Sequence, residues 1–233
     1  MATKNTKEQE IIRINPIKIS KAKITIIGDT PLIVHAWGEK AKKEMLAAQQ
    51  KAKKDKKAMD IRDPFSEFMN ALYWITPKPQ ESTKEAFEKA VAEGAKFGFP
   101  LIAIKQAALS ACYRAGIIPN QTGMKSVFYI NGENGNMMDN GLELGEIISD
   151  KPPVCREDMV KIGGMQKVAD LRYRPAFTNW RMNLIVSLIE VGTFTMESII
   201  NAINMAGFMN GIGEWRMERD GDFGRFHVEM EEA

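Results

Sequence analysis

The strongest constraint on this chain lies in residues 170–206, where the spacing of apolar side chains switches from a strand period to a helix period. Over residues 170–174, Leu171 and Tyr173 alternate with Arg172 and Arg174, and over 180–191 Trp180, Met182, Leu184, Val186 and Leu188 hold every second position. A strand places such residues on one face. Thr195 then offers a helix cap, and Met196, Ile199, Ile200 and Ile203 fall at i, i+3, i+4 and i+7. Gly207 is expected to end that helix. A one-faced strand followed at once by an amphipathic helix buries both apolar surfaces only if the helix returns onto the sheet, which points to an α+β fold.

The rest of the chain extends this pattern. Residues 1–15 read as a polar N-terminal arm, and residues 16–230 as one α+β domain. Ala22, Ile24 and Ile26 alternate with Lys21, Lys23 and Thr25 in a first strand, which Gly28-Asp29-Thr30-Pro31 interrupts before Leu32-Ile33-Val34. Residues 38–59 read as a lysine-rich helix with a thin apolar side of Ala41, Met45, Ala48 and Ala52. Residues 40–62 hold nine bases, Lys42 and Lys43 among them, against Glu44, Asp55 and Asp60, a local net of +6. Asp63-Pro64 starts a helix with Phe65, Phe68, Met69 and Leu72 on one face. Ser82-Thr83-Lys84-Glu85 reads as a capping box and Gly94 as that helix's stop. A helix is expected over 101–115. Short strands are expected over 126–130 and 142–148, separated by Asn-Gly turns. Residues 149–168 read as irregular, and 213–217 with 223–230 as a hairpin around Asp220-Gly221-Asp222. The order of elements suggests a ferredoxin-like, RRM-like antiparallel sheet core with a helical insertion over 38–95.

Composition narrows the function. The 233 residues are 44% hydrophobic, enough for one sizeable core. Lys and Arg total 32 against 30 Asp and Glu, a net of +2, so any electrostatic role depends on where the charges sit. Cys112, Cys155, His35 and His227 provide neither a disulfide framework nor a zinc site, and no metal or cofactor is expected. No signal-peptide or membrane-spanning pattern is present, so a cytoplasmic setting is expected. The 15 methionines read as adaptable core filler. No nucleophile elbow, Walker motif, H-E-x-x-H or C-x-x-C occurs, and the chain is expected not to be an enzyme.

Three groups of residues suggest binding instead. Arg172, Tyr173, Arg174, Trp180, Arg181, Trp215, Arg216 and Arg225 interleave cations with rings, as proteins that bind unpaired strands do. The competing reading places the rings in the core and leaves the arginines as ordinary surface. Gly211 and Gly213 stand beside Trp215 and Arg216, where glycine would let another backbone come close, or would serve a helix cap and tight turns. Lys21, Lys23 and the lysine-rich helix would track phosphates, or form a solvated face.

Two stretches carry a resemblance. Residues 26–35, followed by the lysine-rich helix, and Gly211-Ile-Gly-Glu-Trp-Arg continuing to Asp222-Phe-Gly-Arg-Phe226, resemble a family of uncharacterised phage and prophage proteins over about residues 20–228. More distantly, the glycine-rich ending is similar to the RAMP superfamily, which includes the backbone subunits of CRISPR effector complexes. That resemblance implies a glycine-rich loop near bound nucleic acid, mapping to Gly211, Gly213, Gly221 and Gly224. The expectation is a phage-type single-stranded nucleic-acid-binding protein, with DNA favoured slightly over RNA, that coats strands as a homo-oligomer or filament inside a bacterial host. Two alternatives stay open. One is an anti-defence or assembly protein acting on a phage or host protein. The other is a metal-independent ribonuclease using His35.

Overall fold

The computed structural model describes residues 16–36, 46, 49, 62–138, 140–162, 168–190, 192 and 194–230. Strands β1 (Ile19–Gly28) and β2 (Leu32–Ile33) are followed by helices α1 (Pro64–Asn70) and α2 (Lys84–Ala92), strand β3 (Gly98–Pro100), and helices α3 (Leu101–Arg114) and α4 (Thr122–Lys125). Then come β4 (Phe128–Gly132), β5 (Asn136–Met137), β6 (Glu143–Glu146), β7 (Ile148–Ser149), β8 (Val154–Ile162), β9 (Val168–Phe177) and β10 (Trp180–Ile189). Helix α5 (Met196–Met209), a 3-10 turn (Met217–Arg219) and β11 (Phe226–Met230) complete the described chain. The fold is α+β with antiparallel sheets.

The main sheet runs β11-β1-β10-β4, with β7 also paired to β10. Every pairing in it is antiparallel. Two β-α-β units therefore interleave: β1 and β4 flank β10, while β10 and β11 flank β1. The register sets Ile24 opposite Leu184 and Ile26 opposite Met182. With Val186 and Leu188, these residues form one buried apolar face. Helices α3 and α5 pack on each other and cover it.

Local signals explain most of the helix ends. Thr195 caps α5 by accepting from Ser198 N, and Asp63 caps α1 by accepting from Phe65 N ahead of Pro64. At α2 the cap is Thr83, accepting from Ala86 N. Gly94 follows in a left-handed conformation, φ +87°. The insertion is held by rings packed edge to face: Phe68 and Phe87 have centroids 5.2 Å apart, and Trp74 and Phe97 4.9 Å.

Three expectations are corrected. Residues 154–162 form β8, pairing with β9 from Val154–Ala176 to Ile162–Val168. Its exposed and charged side chains give no hydrophobic alternation to read; charged pairs such as Arg156–Asp158 (2.6 Å) line the ladder instead. Residues 213–217 and 223–230 form no antiparallel hairpin: Glu214 N donates to Ile33 O, Phe223 N donates to Trp215 O beside an isolated parallel bridge between Arg216 and Phe223, and 226–230 pair with β1 instead. Gly207 lies inside α5 rather than ending it. A Cβ there would come within 1.9 Å of Phe226 O, so glycine is what lets the helix approach β11. The lysine-rich helix expected over 38–59 lies outside the described residues apart from Leu46 and Gln49.

Gly224 combines two constraints in the 211–224 segment, a φ of +66° and a missing Cβ that would lie 1.8 Å from Ile212 O. Gly224→Ala is expected to cost about 3 kcal/mol, combining left-handed strain with a backbone clash. A urea melt followed by far-UV circular dichroism checks this, and an unchanged midpoint would contradict it.

Candidate nucleic-acid interface

The sheet face turned away from α3 and α5 mixes polar side chains with isoleucines. On β1 it carries Lys21, Lys23 and Thr25, and on β10 Arg181, Asn183 and Ser187; Lys21 stands opposite Ser187 and Arg181 opposite Ile27. Tyr129 and Asn131 extend the face onto β4, and His227 and Glu229 onto β11. Lys21 and Arg181 are exposed and have no acidic partner among the described residues. Lys23 pairs with Glu133 at 3.1 Å. Asn183 Nδ2 also donates to Glu133, and the Lys23 hydrogen bond leads the causes that hold that carboxyl below its ordinary value. Tyr129 is 51% exposed at the sheet edge. Lys105 Nζ lies 4.4 Å from its ring centre, and burial pushes that amine below its ordinary value.

The other sequence-predicted residues fall into different surroundings. Trp180 is 1% exposed, with Nε1 donating to Thr30 O at 2.8 Å. It is a core ring, which corrects its assignment as a base-stacking platform. Arg174 is buried as well. Its Nη2 lies 3.5 Å from Glu214, while Nε and Nη1 have no partner, so it is a structural cation rather than a phosphate contact. Arg172 pairs with Asp170 at 2.8 Å and Arg225 with Asp222 at 3.0 Å. Tyr173 is half-buried opposite Glu157 on the β8–β9 hairpin. Trp215 is half-buried, with the Arg156 guanidinium 5.7 Å from its ring and 4.6 Å from Phe223. Lys42 and Lys43 lie outside the described residues. The twelve described residues of the fourteen expected to bind therefore do not line one continuous trough.

The glycines of the 211–224 segment serve internal packing. A Cβ on Gly213 would lie 2.4 Å from Ile33 O, and one on Gly221 1.7 Å from Trp215 O. The space beside Gly211 is filled by Phe223 O at 2.9 Å. What needs glycine here is the chain's own backbone, not an approaching ligand.

That segment also forms one wall of a cleft of about 500 Å³. Helix α3 forms the other wall through Ala103, Gln106, Ala107 and Ser110, with Phe99 and Pro100 just before it. Arg216 Nη2 reaches Glu218 at 2.9 Å and its Nη1 donates to Gly213 O at 3.0 Å. Glu218 also accepts from Ser110 and pairs with Arg114 at 3.1 Å. Burial raises the Glu218 carboxyl, but the bonds from Arg216 and Ser110 and the Arg114 charge outweigh it, and the net shift is downward. At one end, His35 Nδ1 lies 4.0 Å from Glu214 and Tyr73 Oη donates to His35 O at 3.4 Å. Sequence reasoning singled out His35 but not this cleft, because Gln106, Ser110, Tyr73 and Glu218 come from distant segments without motif spacing.

Among the described residues, no group of three His, Cys, Asp or Glu side chains is placed to hold a metal ion. No helix among them is long and apolar enough to cross a membrane. No family model matches the chain, and no curated protein shows significant similarity to it.

Burial lowers the His35 imidazole below its ordinary 6.5; Glu214 opposes this, and Arg174 and Arg172 reinforce it. The unfolded chain therefore takes the proton first. The contribution of this site is complete above the unfolded value and declines as pH falls through the lower folded value. His35→Gln is expected to flatten the loss of stability as pH falls from about 7 to about 5, because the loss sets in near the unfolded value and runs down to the lower folded one. Urea midpoints across that range test this; parallel profiles for the two proteins would contradict it.

Proposed function

We propose that this protein binds single-stranded nucleic acid across the open face of its main, five-stranded sheet. The order β11-β1-β10-β4, built from two interleaved β-α-β units, supports a ferredoxin-like reading, the arrangement of RNA-recognition modules. Such modules use the uncovered sheet face for splayed bases. The observation that carries the reading is the register of β1 and β10. It brings Lys21, Lys23 and Arg181 from separate parts of the chain onto one face, two of them without a carboxylate partner among the described residues. Ile185 stands beside Lys23 and Ile27 beside Arg181 on this face, and the exposed Tyr129 adds a ring at its edge opposite Ser187. The footprint is smaller than the sequence suggested, and it leaves out the β8–β9 hairpin and Trp180.

Coating of strands by several copies, in phage replication or recombination, follows from the phage resemblance, and DNA is favoured slightly over RNA on the same ground. A protein of this kind acts without chemistry, in the cytoplasm of a bacterial host.

Fluorescence anisotropy with oligothymidine and oligouridine at two salt concentrations tests the proposal. Lys21→Glu with Arg181→Glu is expected to weaken binding by at least about tenfold. It should also flatten the log–log salt dependence by roughly 1.4, about 0.7 for each phosphate that is no longer neutralised. Tyr129→Ala removes one stacking ring, which weakens binding by about 1–3 kcal/mol. Salt-insensitive binding, or full affinity in the double variant, would overturn the sheet-face reading.

A further inference from the structure

The cleft between α3 and the 211–219 turn combines features that the sheet face lacks. Phe99, Pro100 and Ala103 give it an apolar strip. The amides of Gln106 and Gln121 line it and make no side-chain hydrogen bonds among the described residues. Arg219 also lines it, exposed and without a carboxylate partner among the described residues. The neighbouring cations are already committed, Arg216 and Arg114 to Glu218 and Arg174 to Glu214. Arg219 is thus the cleft's available guanidinium, and the two glutamines its available neutral donor–acceptor pairs. An apolar strip, uncommitted amides and one unpaired arginine suit a heterocycle carrying a phosphate. The volume of about 500 Å³ fits a ligand of that size.

We propose that this cleft binds a single nucleotide, with the base against Phe99, Pro100 and Ala103, its edge read by Gln106 and Gln121, and its phosphate held by Arg219. The nucleotide is either free in solution or part of a strand held on the sheet face; only the second source rests on the proposed function.

Equilibrium dialysis of the full chain with adenosine 5′-monophosphate and with adenosine tests the site. The monophosphate is expected to bind about tenfold more tightly than adenosine, as one charge-assisted contact predicts, and Arg219→Glu should abolish that difference. Ala103→Trp, which fills the cleft, should remove binding of both. Gln106→Glu, at an exposed helix position, should weaken it about tenfold and serves if the tryptophan variant does not fold. The Lys21→Glu, Arg181→Glu protein should keep monophosphate affinity, so failure of the sheet face and failure of the cleft are read separately. An oligonucleotide with 2-aminopurine at its end then distinguishes the sources. A fluorescence change that disappears in Gln106→Glu assigns the cleft to a strand nucleotide, and no change beside intact monophosphate binding assigns it to the free ligand. The proposal is overturned if the wild type retains neither small ligand, or if folded Ala103→Trp and Gln106→Glu bind as the wild type does.

Discussion

The architecture turns on the contact between Trp180 and Gly28. The indole of the first β10 residue lies where a Cβ on Gly28 would come within 2.2 Å of its Nε1. That nitrogen donates to Thr30 O. The ring also meets Phe226, with centroids 6.3 Å apart. One side chain thereby ties the end of β1, the start of β10, the turn before β2 and the start of β11. Arg225 N donating to Thr30 Oγ1 and Gly224 N donating to Pro31 O complete the corner. Truncating such a ring in a core costs about 3–5 kcal/mol. The 211–224 segment hangs from this corner, and so does the cleft wall it forms.

Charge is distributed by the same logic. Along the β8–β9 hairpin, Arg62 meets Glu67 and Asp170, Arg172 meets Asp170, Arg156 meets Asp158, and Arg174 meets Glu214. Arg174, the buried one, is tolerable only beside a carboxylate, because desolvation penalises an isolated charge heavily. The others are more exposed and are likewise engaged by carboxylates. Cations that remain available, such as Lys21, Arg181 and Arg219, are found where strand register or a turn carries a basic residue away from the acids. In a chain with nearly equal numbers of acids and bases, that placement matters more than net charge.

The elements most legible in the sequence were those with a strong period. Strands β1 and β10 and helix α5 follow their apolar spacing, and the caps at Asp63 and Thr195 sit where short polar side chains satisfy free backbone donors. Strand β8 was missed because it has no apolar–polar alternation: Val154 and Met159 are exposed while the charged Asp158 is buried. Trp180 was legible as a strand residue facing inward with Met182 and Leu184, yet its aromatic character beside Arg181 also suggested stacking. Burial removes that role. The glycines were legible as places of close approach, but what approaches is the chain's own backbone.

The sequence alone determined the kind of fold, because hydrophobic periodicity is local and each strand or helix must turn its apolar face toward a partner layer. It also determined which residues have the chemistry to meet a strand or a phosphate. Only the tertiary structure decided which of them are free to do so. Ion pairing and burial depend on neighbours far apart in the chain: Arg174 is joined to Glu214, Glu218 draws in Ser110 and Arg114, and Lys21 and Arg181 share a face through the β1–β10 register. Such partners follow from the way the sheet closes around Trp180, and no local spacing in the chain records that.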